Sequence, residues 1–194
     1  MKPWKAVLLI LVGLAILFVA YGVLLVRGGF SAKDQPSAVE AVLVRATRRM
    51  ATPRAMKDAK NPIAATPETL QEARRHFADH CATCHANDGS GQTEIGQSLY
   101  PKAPDMRLAA TQNLTDGEIY SIIHNGIRLT GMPAWGPPGD DRDDDSWKLV
   151  LFIRHLPMLT AEEIKDMQMY NPKSEVERRE EEQEQEFLNG TNPK

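Results

Sequence analysis

Two cysteines and a histidine within five residues, Cys81-Ala82-Thr83-Cys84-His85, restrict this 194-residue chain more than any other feature. On a helical turn the two-residue gap brings both sulfurs toward one face, and His85 follows Cys81 by four residues, on the same side. The sequence holds no other cysteine. A structural zinc site takes four ligands, and there is no second cysteine pair to complete one. A dithiol redox motif belongs in a βαβ setting that the chain lacks, and a disulfide between the two leaves the adjoining histidine without a role. Covalent attachment of a porphyrin uses all three: each thiol forms a thioether with one vinyl group, and the imidazole takes an axial position on the iron.

A second feature divides the chain. Ala6 to Val26 carries no charge and is almost wholly apolar, and as a helix these residues span about 31 Å, the thickness of bilayer hydrocarbon. Two readings compete for this stretch: a retained transmembrane anchor, and a cleaved signal peptide with Lys2 and Lys5 as its charged region and Gly29-Phe30-Ser31 as its cleavage site. Signal cores run to about 7–15 residues, so the length favours the anchor. Lys2 and Lys5 place the N-terminus in the cytoplasm, although Arg27 and Lys33 weaken that asymmetry. The chain then divides into an anchor (1–27), a tether (28–65), a domain holding the motif (66–158) and a charged tail (159–194).

Charge follows the same division. Residues 1–66 hold ten Lys/Arg against three Asp/Glu, whereas residues 67–194 hold thirteen against twenty-three. An acidic folded part excludes nucleic acid as a partner, because phosphate binding needs a basic face. Arg45, Arg48, Arg49, Arg54, Lys57 and Lys60 concentrate in the tether, where they form a solvated linker or meet anionic lipid or an acidic partner surface. Gly28, Gly29, Pro36, Pro53 and Pro62 interrupt the tether, leaving room for a short helix over 37–50.

No segment alternates as a strand does, so the domain reads as all-α. Thr66 with Pro67 starts a helix in which Leu70, Ala73 and Phe77 form a buried stripe running straight into Cys81. Thr115 and Glu118 form a capping box ahead of Ile119, Ile122 and Ile123, with a stop at Asn125-Gly126. A third helix runs from about Ser146 to His155, with Asp140, Asp141, Asp143, Asp144 and Asp145 at its N-terminal end, where they complement the helix dipole. Thr160 and Glu163 open a further helix toward Tyr170. The Glu-rich run from Glu175 to Glu186 has one apolar residue, Val176, and reads as a solvated helix or disordered tail.

Over roughly residues 66–157 the sequence resembles class I cytochromes c. The resemblance rests on the helix before Cys81, the Asp88-Gly89-Ser90-Gly91 loop, Pro104-Asp105-Met106, and Gly131-Met132-Pro133-Ala134-Trp135. It implies one covalent haem c held by Cys81 and Cys84, with His85 and Met132 as the axial ligands of the iron. It also implies that the carbonyl of Pro104, or of Pro101, orients the His85 ring, and that the first and last helices pack together through the Ala73/Phe77 and Leu151/Phe152 groups. Attachment of haem in this family takes place outside the cytoplasmic membrane, which implies a single-pass protein with its haem domain on the periplasmic side.

Other residues receive plainer readings. Met106 belongs to the core, and His124 is a surface residue or a partner for its helix end rather than a sixth ligand. His76 and His80 supply two ligands, too few for a metal site. Trp135 packs on the haem, and Arg128 and Lys102 are solvated or face a propionate. With both axial positions filled, the iron changes oxidation state without binding a small organic substrate. The resemblance thus implies an electron carrier rather than an enzyme, working with redox proteins in or at the membrane as a tethered shuttle or a subunit of a respiratory complex. A haem peroxidase or a gas sensor needs an open coordination position.

Overall fold

The computed structural model describes residues 3–29, 31–139 and 142–188, which contain helices and turns and no strand. They fall into two compact units, residues 1–34 and 35–194. The first unit is the single helix α1 (Pro3–Gly28), with none of its residues buried. It is long and apolar enough to cross a membrane. Phe30, at the centre of the alternative cleavage site, lies outside the described residues.

The second unit opens with α2 (Ala38–Ala51), capped by Ser37, whose hydroxyl accepts the Glu40 N–H at 3.2 Å. Met56 of the single turn α3 (Arg54–Lys57), and Ala59 and Ile63 beyond it, pack against the core. The Asn61 side chain donates to the Trp147 carbonyl at 2.9 Å. Residues read as tether thus add to the packed body.

Helix α4 (Pro67–His76) begins with a reciprocal cap, in which Thr66 Oγ1 accepts the Thr69 N–H and Thr69 Oγ1 accepts the Thr66 N–H. Ala73 and Phe77 are buried as the periodicity requires. Cys81, toward which the stripe runs, packs against the core but is only partly buried. Phe77–Cys81 forms one π-helical turn, closed by the Ala82 N–H on the Phe77 carbonyl. A π turn adds one residue, and Ala82, five residues after Phe77, is buried, as is Ala78. Cys81, which an unbroken α-helix would have placed in the core stripe, remains partly exposed.

The motif continues in α5 (Ala82–His85), followed by the short helices α6 (Glu94–Ser98) and α7 (Ala109–Gln112). Helix α8 (Asp116–Asn125) carries both halves of its capping box: Thr115 Oγ1 accepts the Glu118 N–H at 3.1 Å, and Glu118 Oε2 accepts the Thr115 N–H at 2.9 Å. Asp143 caps α9 (Asp144–His155), accepting the Ser146 N–H at 3.1 Å. Asp140 and Asp141 lie outside the described residues. Helices α4 and α9 pack together through Phe77 and Phe152, whose ring centroids are 5.0 Å apart. On α9 the buried neighbours of Phe152 are Leu149, Val150 and Ile153, while Leu151 is only partly buried. Tyr120 stacks on Trp147 at 4.2 Å and joins α8 to α9.

The chain after α9 does not leave the body. Helix α10 (Ala161–Met167) buries Met167 completely, and Arg74 of α4 reaches Glu163 at 3.1 Å and Asp166 at 3.0 Å. Arg75 lies over the Tyr170 ring at 5.2 Å. Asn171 and Asn87 exchange two amide hydrogen bonds, at 2.9 and 3.2 Å. Residues 160–171 therefore form a strap from the end of α9 to the loop that follows His85. Helix α11 (Glu175–Leu188) is exposed, and Lys173 pairs with Glu181 at 2.6 Å just before and within it.

Candidate functional site

Cys81 closes the π turn, and Cys84 and His85 occupy α5. The two thiols are not joined to each other. Burial, with a contribution from Cys84, pushes the Cys81 thiol up to about 12, and burial raises Cys84 as well. Burial lowers the pKa of His85, and the backbone of Pro104 acts on the ring in the opposite sense. Its Nδ1 atom is buried without a hydrogen bond of full geometry. A neutral imidazole whose outer nitrogen faces a backbone carbonyl is the form in which histidine donates to a metal.

The chain after His85 is folded back tightly. Ala86 takes a φ of 60°, and the Gly91 N–H donates to the His85 carbonyl at 2.8 Å. The Met106 N–H reaches the Gly89 carbonyl at 2.9 Å, and the Arg107 guanidinium spans Asp105, at 2.7 and 2.9 Å, and Asp88, at 2.9 Å. These bonds hold Pro104 beside the motif. On the other flank Thr93 Oγ1 donates to the Cys84 carbonyl at 3.2 Å and accepts the Gly96 N–H at 2.8 Å. Gly96 comes so close that a Cβ there would lie 2.1 Å from the Cys84 oxygen. Sequence reasoning missed Thr93, although a threonine just before Glu94 is an N-cap signal.

Met132 is partly buried on a loop fastened to the end of α8. Gly126 ends the helix at a φ of 64°, where a Cβ would strike the backbone of residues 132–134. The Ile127 N–H donates to the Met132 carbonyl at 3.0 Å, and the Met132 N–H to Thr130 Oγ1 at 3.1 Å. Beyond Met132, the amides of Trp135 and Gly136 bond the carbonyls of Ile123 and His124 at 3.1 and 3.0 Å, satisfying the open end of α8. Leu99, just past α6, closes on Gly131, and the Trp135 ring meets the edge of His80 at 5.3 Å. The loop thus lies between the segment that packs on Cys84 and the residue that precedes Cys81.

The competing residues have other occupations. Met106 is buried in the core, and Met158 is exposed. His124 Nδ1 lies 3.2 Å from Asp143 and 3.4 Å from the Tyr120 hydroxyl, which makes it a link between α8 and α9. His76 and His80 meet ring to edge at 5.0 Å, and His80 lies beside Asp79 at 3.2 Å. His155 is engaged with Glu163 at 3.0 Å. Arg128 is exposed and Lys102 partly so. Among the described residues no three His, Cys, Asp or Glu side chains converge as a metal-ion site. Two unpaired thiols beside a buried imidazole on the same turn are a donor set that fits a covalently held porphyrin.

Comparison with known proteins agrees. Residues 68–153 match the family described as cytochrome c oxidase, cbb3-type, subunit III. The chain is 39% identical over 70 residues to the cbb3-type cytochrome c oxidase subunit FixP of Azorhizobium caulinodans, covering 31% of this chain and 19% of that protein. It is 30% identical over 95 residues to FixP of Rhizobium meliloti, covering 46% of this chain and 28% of that protein. The chain thus spans less than a third of the length of these relatives. Within that span the motif, the helical fold and the matches agree, and residues 68–153 are similar to a c-type cytochrome domain with covalently bound haem c.

Proposed function

We propose that this chain is a membrane-anchored one-electron carrier, held in the bilayer by α1 with its haem domain on the periplasmic side, and that it serves an oxidase of the kind to which its relatives belong. The observation that carries this reading is the pairing of two unlinked thiols and a buried imidazole on one turn with a methionine loop fastened beside them. Cys81 and Cys84 supply the thioethers, and His85 and Met132 the axial ligands. Pro104 orients the His85 ring through its backbone. The bound haem c supplies reversible one-electron chemistry at iron, and a thioether ligand sets its potential above that of a bis-histidine haem. His85 on α5 and Met132 on a loop bonded to the end of α8 would both ligate the iron, and their fixed backbones would leave little to rearrange on oxidation and reduction. The chain itself catalyses no reaction on an organic substrate; any oxidase chemistry belongs to the partner complex.

Copurification tests the assignment to a complex. From mildly solubilised membranes the chain is expected to leave with a multisubunit oxidase that retains activity. Recovery only as an isolated protein, with reduction and oxidation by soluble partners at full rate, would assign it to a free shuttle instead.

A further inference from the structure

Helix α2 is turned the wrong way for a surface helix of a soluble body. Val39, Val42, Leu43, Ala46 and Met50 recur at i, i+3, i+4, i+7 and i+11 and share one face. That face points to solvent: Val39 is 70% exposed, Val42 and Leu43 61%, and Met50 76%. The polar side holds the helix to the domain. Glu40 accepts a hydrogen bond from the Tyr100 hydroxyl at 2.6 Å, Arg49 lies 3.4 Å from Glu118, and Ala41 and Arg48 are partly buried. A helix that ties polar side chains to the body and presents its apolar stripe to solvent is built to meet a second apolar phase.

We infer that the exposed face of α2 lies in the interface of an anionic lipid bilayer and fixes the haem domain against the membrane. This rests on the reading of α1 as a membrane anchor. Residues 29–37 link the two helices, and nine residues reach at most about 30 Å, so α2 cannot leave the neighbourhood of the membrane surface. Charge identifies the lipid. Residues 35–66 carry Arg45, Arg48, Arg49, Arg54, Lys57 and Lys60 against Glu40 and Asp58, whereas residues 67–194 hold thirteen Lys/Arg against twenty-three Asp/Glu. Arg45, Arg54 and Lys60 are exposed. An apolar stripe bordered by basic residues is the form of a helix that lies in the headgroup region, and each cation near an anionic surface adds to the attraction. The acidic body is repelled by the same surface, which selects the basic, apolar side for contact.

The test uses the full haem-loaded chain in vesicles of phosphatidylcholine with and without phosphatidylglycerol. Cys81 and Cys84 are consumed as thioethers, so Leu43→Cys or Val44→Cys introduces the single thiol that a nitroxide can label. In phosphatidylglycerol vesicles the label at Leu43→Cys is expected to collide with oxygen and to be shielded from a water-soluble nickel chelate several-fold more than the label at Val44→Cys, about 100° round the helix and outside the apolar stripe. Arg45→Glu with Arg54→Glu should reduce that shielding. Equal nickel access at both positions, in protein that stays with the vesicles through a carbonate wash, overturns the inference while leaving the anchor in place. Loss of the whole chain in the wash overturns the anchor and the inference together. Shielding seen only when an oxidase complex is added assigns the face to a protein partner and also overturns it.

Discussion

His85 and Met132, the two proposed iron ligands, are presented by different means. The histidine lies on α5 with Cys84, just after the π turn that ends in Cys81, so its position follows from the motif, and the Pro104 backbone acts on its ring. The methionine comes from a loop whose amides are spent on the end of α8, so its position depends on Gly126, Trp135 and Gly136. Met132→Ala should lower the reduction potential and open the reduced iron to carbon monoxide at neutral pH, while leaving haem attached. Met106→Ala should keep potential and spectrum and cost about 2–5 kcal/mol of stability in denaturant unfolding, since it removes a buried side chain. Carbon monoxide binding by Met106→Ala and not by Met132→Ala would reverse the two roles. The segments proposed to bear the ligands were legible through their resemblance to the family at Gly131-Met132-Pro133 and Pro104. The π turn that buries Ala78 and Ala82 and leaves Cys81 partly exposed was not readable, because residue types alone do not distinguish an α from a π turn.

At the scale of elements, the helices that announce themselves are those with caps. Thr66, Thr115, Asp143 and Thr160 each accept the backbone N–H three residues on, and a Ser, Thr or Asp ahead of an apolar run is a local signal. The strap over residues 160–171 gave only the first half of that signal. Its function in the fold depends on Met167, its one fully buried side chain, and on Asn87 pairing with Asn171 across 84 residues of sequence. Such distant pairings leave no periodicity to read. The orientation of α2 was hidden for the same reason, since the partners of Glu40 and Arg49 lie at Tyr100 and Glu118. Met167→Ala should destabilise the domain by about 2–5 kcal/mol by thermal or denaturant unfolding. Asn171→Ala removes two exchanged amide bonds and should cost about 0.5–3 kcal/mol. If neither change moves the unfolding midpoint, the strap is not part of the cooperative unit.

For the whole molecule, charge decides two behaviours. Burial raises the pKa values of Glu118, Asp143 and Glu163, but hydrogen bonds outweigh it and all three lie below the usual carboxylate range: from the Thr115 N–H and Arg49 to Glu118, from Ser146 and His124 to Asp143, and from the Thr160 N–H and His155 to Glu163. The unfolded chain binds more protons than the folded one across that range, so these groups stabilise the fold above about pH 4–4.5, where they are ionised in both states. The contribution disappears as pH falls through the lower folded values. Circular dichroism of the protein between pH 6 and 2 should show acid unfolding, and Glu118→Gln should make stability less dependent on pH there. An unchanged slope in that variant would remove Glu118 from the account. The acidic excess of residues 67–194 should also make electron transfer to a partner depend on salt, because charges beyond about 8–10 Å are screened at 0.1–0.15 M. Stopped-flow rates that stay constant from low to high ionic strength would show that the acidic field takes no part in encounter.

The central claim is that haem c is bonded to this chain through Cys81 and Cys84, and mass spectrometry of the unfolded, acid-acetone-extracted protein tests it most directly. The account predicts a chain heavier by one haem, with both thiols unreactive to alkylation and the added mass on the peptide that contains Cys81-Ala82-Thr83-Cys84-His85. A chain of unmodified mass with two alkylatable cysteines, obtained from cells that attach haem to other c-type cytochromes, would contradict it.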